Sequence, residues 1–98
     1  MGPINGVLKA LSNPNRRKVY QLICKAAKSK KGITIEDLCA ATGFKQPAVS
    51  HHVARLEAAQ LVTRKRVRWW VHCLPAEDGL SALEQFVKNP AAFPVDPA

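Results

Sequence analysis

TIEDLCAATGFKQPAVSHHVARLEAAQLVTRKRVRWWVHCL, residues Thr34 to Leu74, is the stretch that decides the fold. It opens with a short helical pattern, turns at Gly43, and continues as a second helical pattern bearing Gln46-Pro47-Ala48-Val49-Ser50-His51-His52. Arg64-Lys65-Arg66-Val67-Arg68 then lies between two apolar runs. That order reads as a helix-turn-helix followed by a basic β-hairpin. Such a helix presents polar side chains short enough to reach base edges, and such a hairpin presents cations to neighbouring phosphates.

Thr34 is placed to cap the first of these helices, with Asp37 at the N3 position and Ile35, Leu38 and Cys39 facing inward. Thr42-Gly43 ends it. The second runs from about Gln46 to Gln60 on the stripe Val49, Val53 and Leu56, which leaves Pro47, Ala48, His51, Ala54 and Arg55 on the far side. That side is small, polar and cationic, a surface that enters a major groove without steric conflict. Leu61–Arg66 and Trp69–Leu74 read as strands joined by a tight turn around Val67, although the tip offers no Gly, Asn or Asp to take a positive φ. Alternation puts Trp70, His72 and Leu74 on one face and Trp69, Val71 and Cys73 on the other without saying which is buried, and both tryptophans are candidates for packing.

Upstream, Ile4, Val7, Leu8 and Leu11 recur at helical spacing. Asn13-Pro14 then starts another helix, with Asn as N-cap and Pro in the first turn, running to about Lys28 on the stripe Val19, Leu22, Ile23 and Ala26. Arg16, Arg17 and Lys18 at its start oppose the helix dipole, so they are either solvated or close to a phosphate. Ser29-Lys30-Lys31-Gly32 is a basic loop. Downstream, Leu80, Leu83, Phe86 and Val87 define a last amphipathic helix from roughly Glu77 to Lys88. Residues 89–98 read as a disordered Pro-rich tail. The expected architecture is mainly α with a small β-hairpin, α-α-α-α-β-β-α, in one domain over residues 1–88.

Composition sets the outer bounds. A chain of 98 residues holds one modest core. Fifteen Lys and Arg against seven Asp and Glu give a net charge of +8, which favours an anionic partner, nucleic acid first. No apolar run is long enough to span a bilayer and the N-terminus does not read as a signal peptide, so no membrane partner and a cytoplasmic location are expected. Cys24, Cys39 and Cys73 are odd in number with no CxxC spacing, so they suggest neither a disulfide framework nor a zinc finger and read first as small reduced core residues. Adjacent His51 and His52 stand about 100° apart on a helix and cannot both face one metal. His72 reads as structural. There is no phosphate-cradling or dinucleotide glycine motif and no recognisable nucleophile–base motif, so neither catalysis nor a cofactor is expected.

Ala10-Leu11-Ser12-Asn13-Pro14-Asn15-Arg16 resembles the opening "ALSDPTR" of ArsR-family winged-helix repressors. Gln46–Leu56 is similar to their recognition helix, and Leu61–Arg66 with Trp69–His72 to their wing; together the pieces cover about residues 7–88. The resemblance implies a homodimeric repressor that binds duplex DNA at an imperfect inverted repeat. In that frame Lys45, Gln46, Ser50, His51, His52, Arg55, Arg64, Lys65, Arg66 and Arg68 are the DNA-binding residues. Ile4, Val7, Leu8, Leu80, Leu83, Phe86 and Val87 form the dimer interface.

The sensor patterns of that family are departed from. Its arsenic-type members carry a C-x-C pair ahead of a cysteine in the third helix; here only Cys39 remains, with Thr34 and Glu36 at the other two positions. Its zinc-type members use Asp and His of the last helix, which here offers Asp78 and Glu84 and no His. Its thiol-switch members pair a cysteine of the second helix with one of the last helix, and here Cys24 has no such partner, though a redox role through another cysteine or the second subunit stays open. Two rivals remain: a winged helix serving as a protein-interaction module in a larger assembly, and an RNA-binding winged helix. The second is disfavoured because Trp69 and Trp70 alone do not make a stacking platform.

Overall fold

The computed structural model describes residues 3–95, leaving residues 1–2 and 96–98 of the expected domain and tail outside the described range. Five α-helices and a small antiparallel sheet follow one another as α1 (Pro3–Leu11), α2 (Pro14–Lys25), β1 (Ile33–Thr34), α3 (Ile35–Thr42), α4 (Gln46–Ala58), β2 (Val62–Val67), β3 (Trp70–Pro75) and α5 (Glu77–Lys88). The strand order is β1-β3-β2. The expected helices and hairpin are all present, and β1 is an addition: Ile33 and Thr34 pair with Cys73 and His72 and close the third side of the wing sheet.

Local sequence explains the boundaries of α2 and α3. The Asn13 side chain accepts a hydrogen bond from the Arg16 amide at 3.0 Å and starts α2. Ala26–Lys28 forms a 3-10 turn, so the α-helix stops at Lys25, short of the Lys28 expected. Thr34 caps α3 by accepting from the Asp37 amide at 3.1 Å. Gly43 ends α3 at φ +77, the left-handed conformation that sets the turn between α3 and α4 without a Cβ penalty.

The stripes meet in one core. Val19 and Ile23 of α2, Leu38 of α3, Val49, Val53 and Leu56 of α4, and Leu61 and Cys73 of the wing have no accessible surface. Each large aliphatic among them contributes roughly 1.5–3 kcal/mol of hydrophobic stabilisation. No charged side chain shares this core among the described residues. The face of β3 that carries Val71 and Cys73 is the buried one, because it packs on this cluster, and Trp70 points outward.

At the C-terminus of α4 the helix stops at Ala58, two residues before the expected Gln60. Gln60 takes φ +62, its amide and that of Leu61 reach back to the Glu57 and Leu56 carbonyls, both at 3.0 Å, and the helix closes in a Schellman-type cap. The first turn of α5 docks on that cap: the Gly79 amide donates to the Gln60 carbonyl at 2.8 Å and the Ala76 amide to the Leu61 carbonyl at 2.9 Å. A Cβ on Gly79 would lie 2.7 Å from the Ala59 and Gln60 carbonyl oxygens, so only glycine permits this approach. Helix α5 also packs along α1.

The tail departs from expectation within the described range. Pro90–Ala92 forms a 3-10 turn and the Phe93 ring meets Phe86 edge-on with centroids 5.3 Å apart, so residues 89–93 fold back on α5 rather than running free. Two aromatic rings in contact supply what apolar periodicity does not show.

Candidate nucleic-acid interface

Helix α4 has Val49, Val53 and Leu56 against the core and Lys45, Gln46, Pro47, Ala48, His51 and Arg55 exposed. Ser50, His52 and Ala54 are half-buried at the edges of that face. The helix begins at Lys45 with no side-chain cap and no acid in its first turn, so its leading amides and positive dipole end are open to an anion. Glu57 is the only acid between Lys45 and Arg68.

The wing tip is built by the register Val67↔Trp70, which makes Arg68-Trp69 a two-residue loop. Arg68 takes φ +59, so an arginine occupies the left-handed position for which no Gly, Asn or Asp is available. Lys65, Arg66 and Arg68 are exposed and, among the described residues, make no ion pair. Arg64 differs. Its Nε and Nη2 both donate to Glu57 Oε1, at 3.1 and 2.7 Å, tying the base of the wing to α4. The pair holds the Glu57 carboxyl below its ordinary range, chiefly through the Arg64 hydrogen bond, and raises the Arg64 guanidinium. Arg64, expected among the phosphate-binding cations, is thus engaged as a brace.

The cations at the start of α2 meet a third situation beside the two expected. Arg16 Nε donates to the Ala10 carbonyl at 2.7 Å and Arg17 to the Leu11 carbonyl at 2.6 Å, so both cap the C-terminus of α1, where positive charge is favoured. Arg16 also borders a cleft of about 240 Å³ with Lys9, His51 and Arg55. A second cleft of about 280 Å³ beside the wing is bordered by Lys30, Lys31, Lys65 and His72. Lys9 and Lys30 were not legible as site residues, because they join the cationic surface only through contacts between segments far apart in sequence.

The two α4 histidines part company. His51 is exposed, whereas His52 is half-buried with its ring 6.2 Å from that of Phe44 and its Nδ1 without a hydrogen-bond partner among the described residues. Burial, then the charges of Arg16 and His51, lower the His52 pKa. His52 thus packs against Phe44 at the turn, while His51 stays exposed on the outer face of α4. Phe44 is further held by Lys18, whose Nζ lies 5.7 Å from the ring centroid.

The expected dimer residues also divide. Val7 has no accessible surface, Ile4 retains 7%, and Leu83 packs on the protomer's own core, so these three are largely consumed internally. Phe86 is covered in part by Phe93. Leu8, Leu80 and Val87 are exposed, Val87 by 70%. Among the cysteines, Cys24 is exposed, Cys39 half-buried and Cys73 buried, and burial pushes the Cys73 thiol up to about 11. Among the described residues no three His, Cys, Asp or Glu side chains converge as metal ligands, and no helix is long and apolar enough to cross a membrane.

Comparison with known proteins agrees with this geometry. A family model described as a helix-turn-helix domain matches residues 11–65. A Halobacterium salinarum protein named as an arsenical resistance operon repressor, ArsR2, is 38% identical over 71 residues, covering 72% of this chain and 57% of its own length. The chain thus spans little more than half of that relative. An ArsR-like transcriptional regulator from Rhodococcus superposes with a TM-score of 0.76 at 18% identity, covering 92% of this chain and 80% of the other. The homodimeric winged helix-turn-helix DNA-binding domain of a Mycobacterium bovis protein, described as a possible ArsR-family regulator, superposes at 0.69 with 22% identity, covering 96% and 82%. The fold and its exposed α4–wing surface define a winged helix-turn-helix. The chain belongs to the helix-turn-helix domain family.

Proposed function

We propose that the protein is a homodimeric repressor that binds duplex DNA at an imperfect inverted repeat and lacks the arsenic and zinc sensor sites of its relatives. The observation that carries this reading is the exposure of Gln46, His51 and Arg55 on α4 and of Lys65, Arg66 and Arg68 on the wing, with the one acid between Lys45 and Arg68 already paired with Arg64. Labour divides by side-chain chemistry. The amide of Gln46 and the imidazole of His51 match donor and acceptor patterns on base edges, with Ser50 at the rim, whereas the long wing cations meet phosphates or the minor groove.

The exposed stripe of Leu8, Leu80 and Val87 supports pairing of two protomers through α1 and α5, since a patch of this kind is unfavourable in water. A two-fold dimer places its recognition helices one helical turn apart, about 34–36 Å, or a multiple of it. The absent sensor chemistry rests on Thr34, which caps α3 where a ligand cysteine stands in arsenic-type relatives, and on an α5 without histidine.

The test starts from duplexes enriched from a randomised pool on the purified protein. Lys65→Ala or Arg66→Ala should weaken enriched and random duplexes alike and make the salt slope shallower by up to about one unit per lost phosphate contact. Gln46→Ala or His51→Ala should weaken the enriched duplex by roughly 1–3 kcal/mol and random DNA far less. Equal losses on both duplexes for the helix variants would remove Gln46 and His51 as readers.

A further inference from the structure

One feature of the wing is not absorbed by phosphate contact. Its tip carries three large apolar side chains in the open: Trp69 is 78% exposed, Trp70 49% and Val67 45%. They stand among Lys65, Arg66 and Arg68, and among the described residues no cation or aromatic ring lies over either indole. An indole left in water forgoes the stabilisation that burial provides, and the core below offers no place for it.

The loop that presents Trp69 is short and held. Two residues separate the paired strands, Arg68 is in the left-handed region, and Arg66 Nε donates to the Arg68 carbonyl at 3.3 Å. A two-stranded ribbon is too wide for a minor groove about 6 Å across, so only the side chains of the two-residue tip can enter it. The flanking cations select a polyanion as the partner. In the minor groove the apolar surface on which an indole can stack is the face of a base, exposed when a step is opened.

We propose that Trp69 is a wedge that enters the minor groove beside the wing's phosphate contacts, stacks on a base step and bends the duplex. This rests on the DNA-binding function proposed above and adds to it a bent complex and a second source of sequence preference. Opening a step is easiest at pyrimidine–purine steps such as TA and CA, so those steps gather where the wing lands although no donor or acceptor reads them. Trp70, paired with Val67 in the strand, is less exposed.

The experiment uses the full chain with Trp70→Phe, which leaves Trp69 as its only tryptophan, and the duplex enriched from a randomised pool, labelled at both ends for energy transfer. Trp69 emission should be quenched at least about twofold on binding and become shielded from acrylamide, as stacking requires. Energy transfer should report a bend within about 20–90°. Trp69→Ala, made in the otherwise unaltered chain at a site remote from the core, should keep its melting temperature and dimer mass, bind about tenfold more weakly and leave the duplex straight. Trp69→Phe should recover part of the bend.

Binding with unchanged Trp69 emission and a straight duplex would overturn the wedge and leave the regulator intact. A Trp69→Ala protein that binds as tightly as its parent would do the same. Emission that shifts on vesicles of anionic phospholipid but not on the duplex would assign the tip to a membrane surface. If the parent chain binds no duplex at all, the regulator reading falls and the wedge with it.

Discussion

Gly79→Ala tests how the last helix is joined to the recognition helix. In most helices this exchange stabilises by about 1 kcal/mol, because alanine is the better helix former. At Gly79 the added methyl would sit 2.7 Å from the carbonyl oxygens of Ala59 and Gln60, backbone atoms that a rotamer change cannot move aside. Overpacking of this kind costs about 1–3 kcal/mol, and losing the bond from the Gly79 amide to the Gln60 carbonyl about 1 more. Set against the propensity gain, the net loss is about 1–3 kcal/mol, or roughly 5–20 °C in Tm for a domain of this size. Gly6 in α1 is the control: a Cβ there meets nothing within 4 Å, so Gly6→Ala should hold or raise Tm. Both variants belong in thermal and urea melts at one protein concentration, since dimer stability depends on concentration. On the function proposed above, in which α5 carries dimer contacts and α4 groove contacts, the Gly79 variant should also lose affinity for the enriched duplex below its Tm. If Gly79→Ala stabilises as Gly6→Ala does, α5 is not docked on the α4 cap and the coupling argued here is absent.

Three further outcomes follow from exposure and titration. Val87→Glu together with Leu80→Glu should give monomers by light scattering with helical content intact, whereas Leu83→Glu should also destabilise the protomer because Leu83 packs on its core; a dimer mass in the double variant would move the interface elsewhere. Cys24 should be alkylated quickly in the native protein and Cys73 only on unfolding, since the Cys73 thiol is buried with a pKa pushed up to about 11; fast native labelling of Cys73 would contradict its place in the core. His52 is lowered from its ordinary value of 6.5, so the unfolded chain takes up a proton that the folded chain resists. Its contribution to stability is full above about pH 6.5 and is lost on acidification, and His52→Gln should flatten the fall in Tm between about pH 7.5 and about pH 5.5.

What the sequence discloses follows from the range of the forces involved. The α3 cap at Thr34, the turn at Gly43 and the α2 start at Asn13 are local, written in a residue and its neighbours within one turn, and the structure has them where the pattern puts them. The strand β1 is only Ile33 and Thr34, too short for any periodicity, and exists because β3 has an edge to pair with. The end of α4 is misread by two residues because Gln60 takes the left-handed position usually marked by glycine. The exposure of the candidate residues Gln46, His51, Lys65 and Arg66 is legible from helix phase and charge, but Arg64 is not separable from them by type. Only the approach of α4 to β2 reveals that Glu57 claims it. Likewise Trp69 and Trp70 read as packing residues by type, and the two-residue loop at Arg68-Trp69 puts Trp69 outside while Trp70 lies on the outward face of β3.

These long-range ties converge on one element. Helix α4 has the turn and Phe44–His52 contact near its start, the Arg64–Glu57 pair on its flank and the α5 amides at its cap. The ion pair alone is worth little, since both partners are more than a third exposed and surface pairs contribute about 0–1 kcal/mol. Its consequence is geometric and electrostatic. On the DNA-binding reading proposed above, it helps hold the wing beside α4 and neutralises the one acid between Lys45 and Arg68 on a surface proposed to approach phosphates. Glu57→Gln should therefore change fold stability little while freeing Arg64, steepening the salt dependence of DNA binding and loosening wing orientation. A salt slope unchanged from the parent would show that freeing Arg64 adds no phosphate contact, and the pair would then not limit DNA binding.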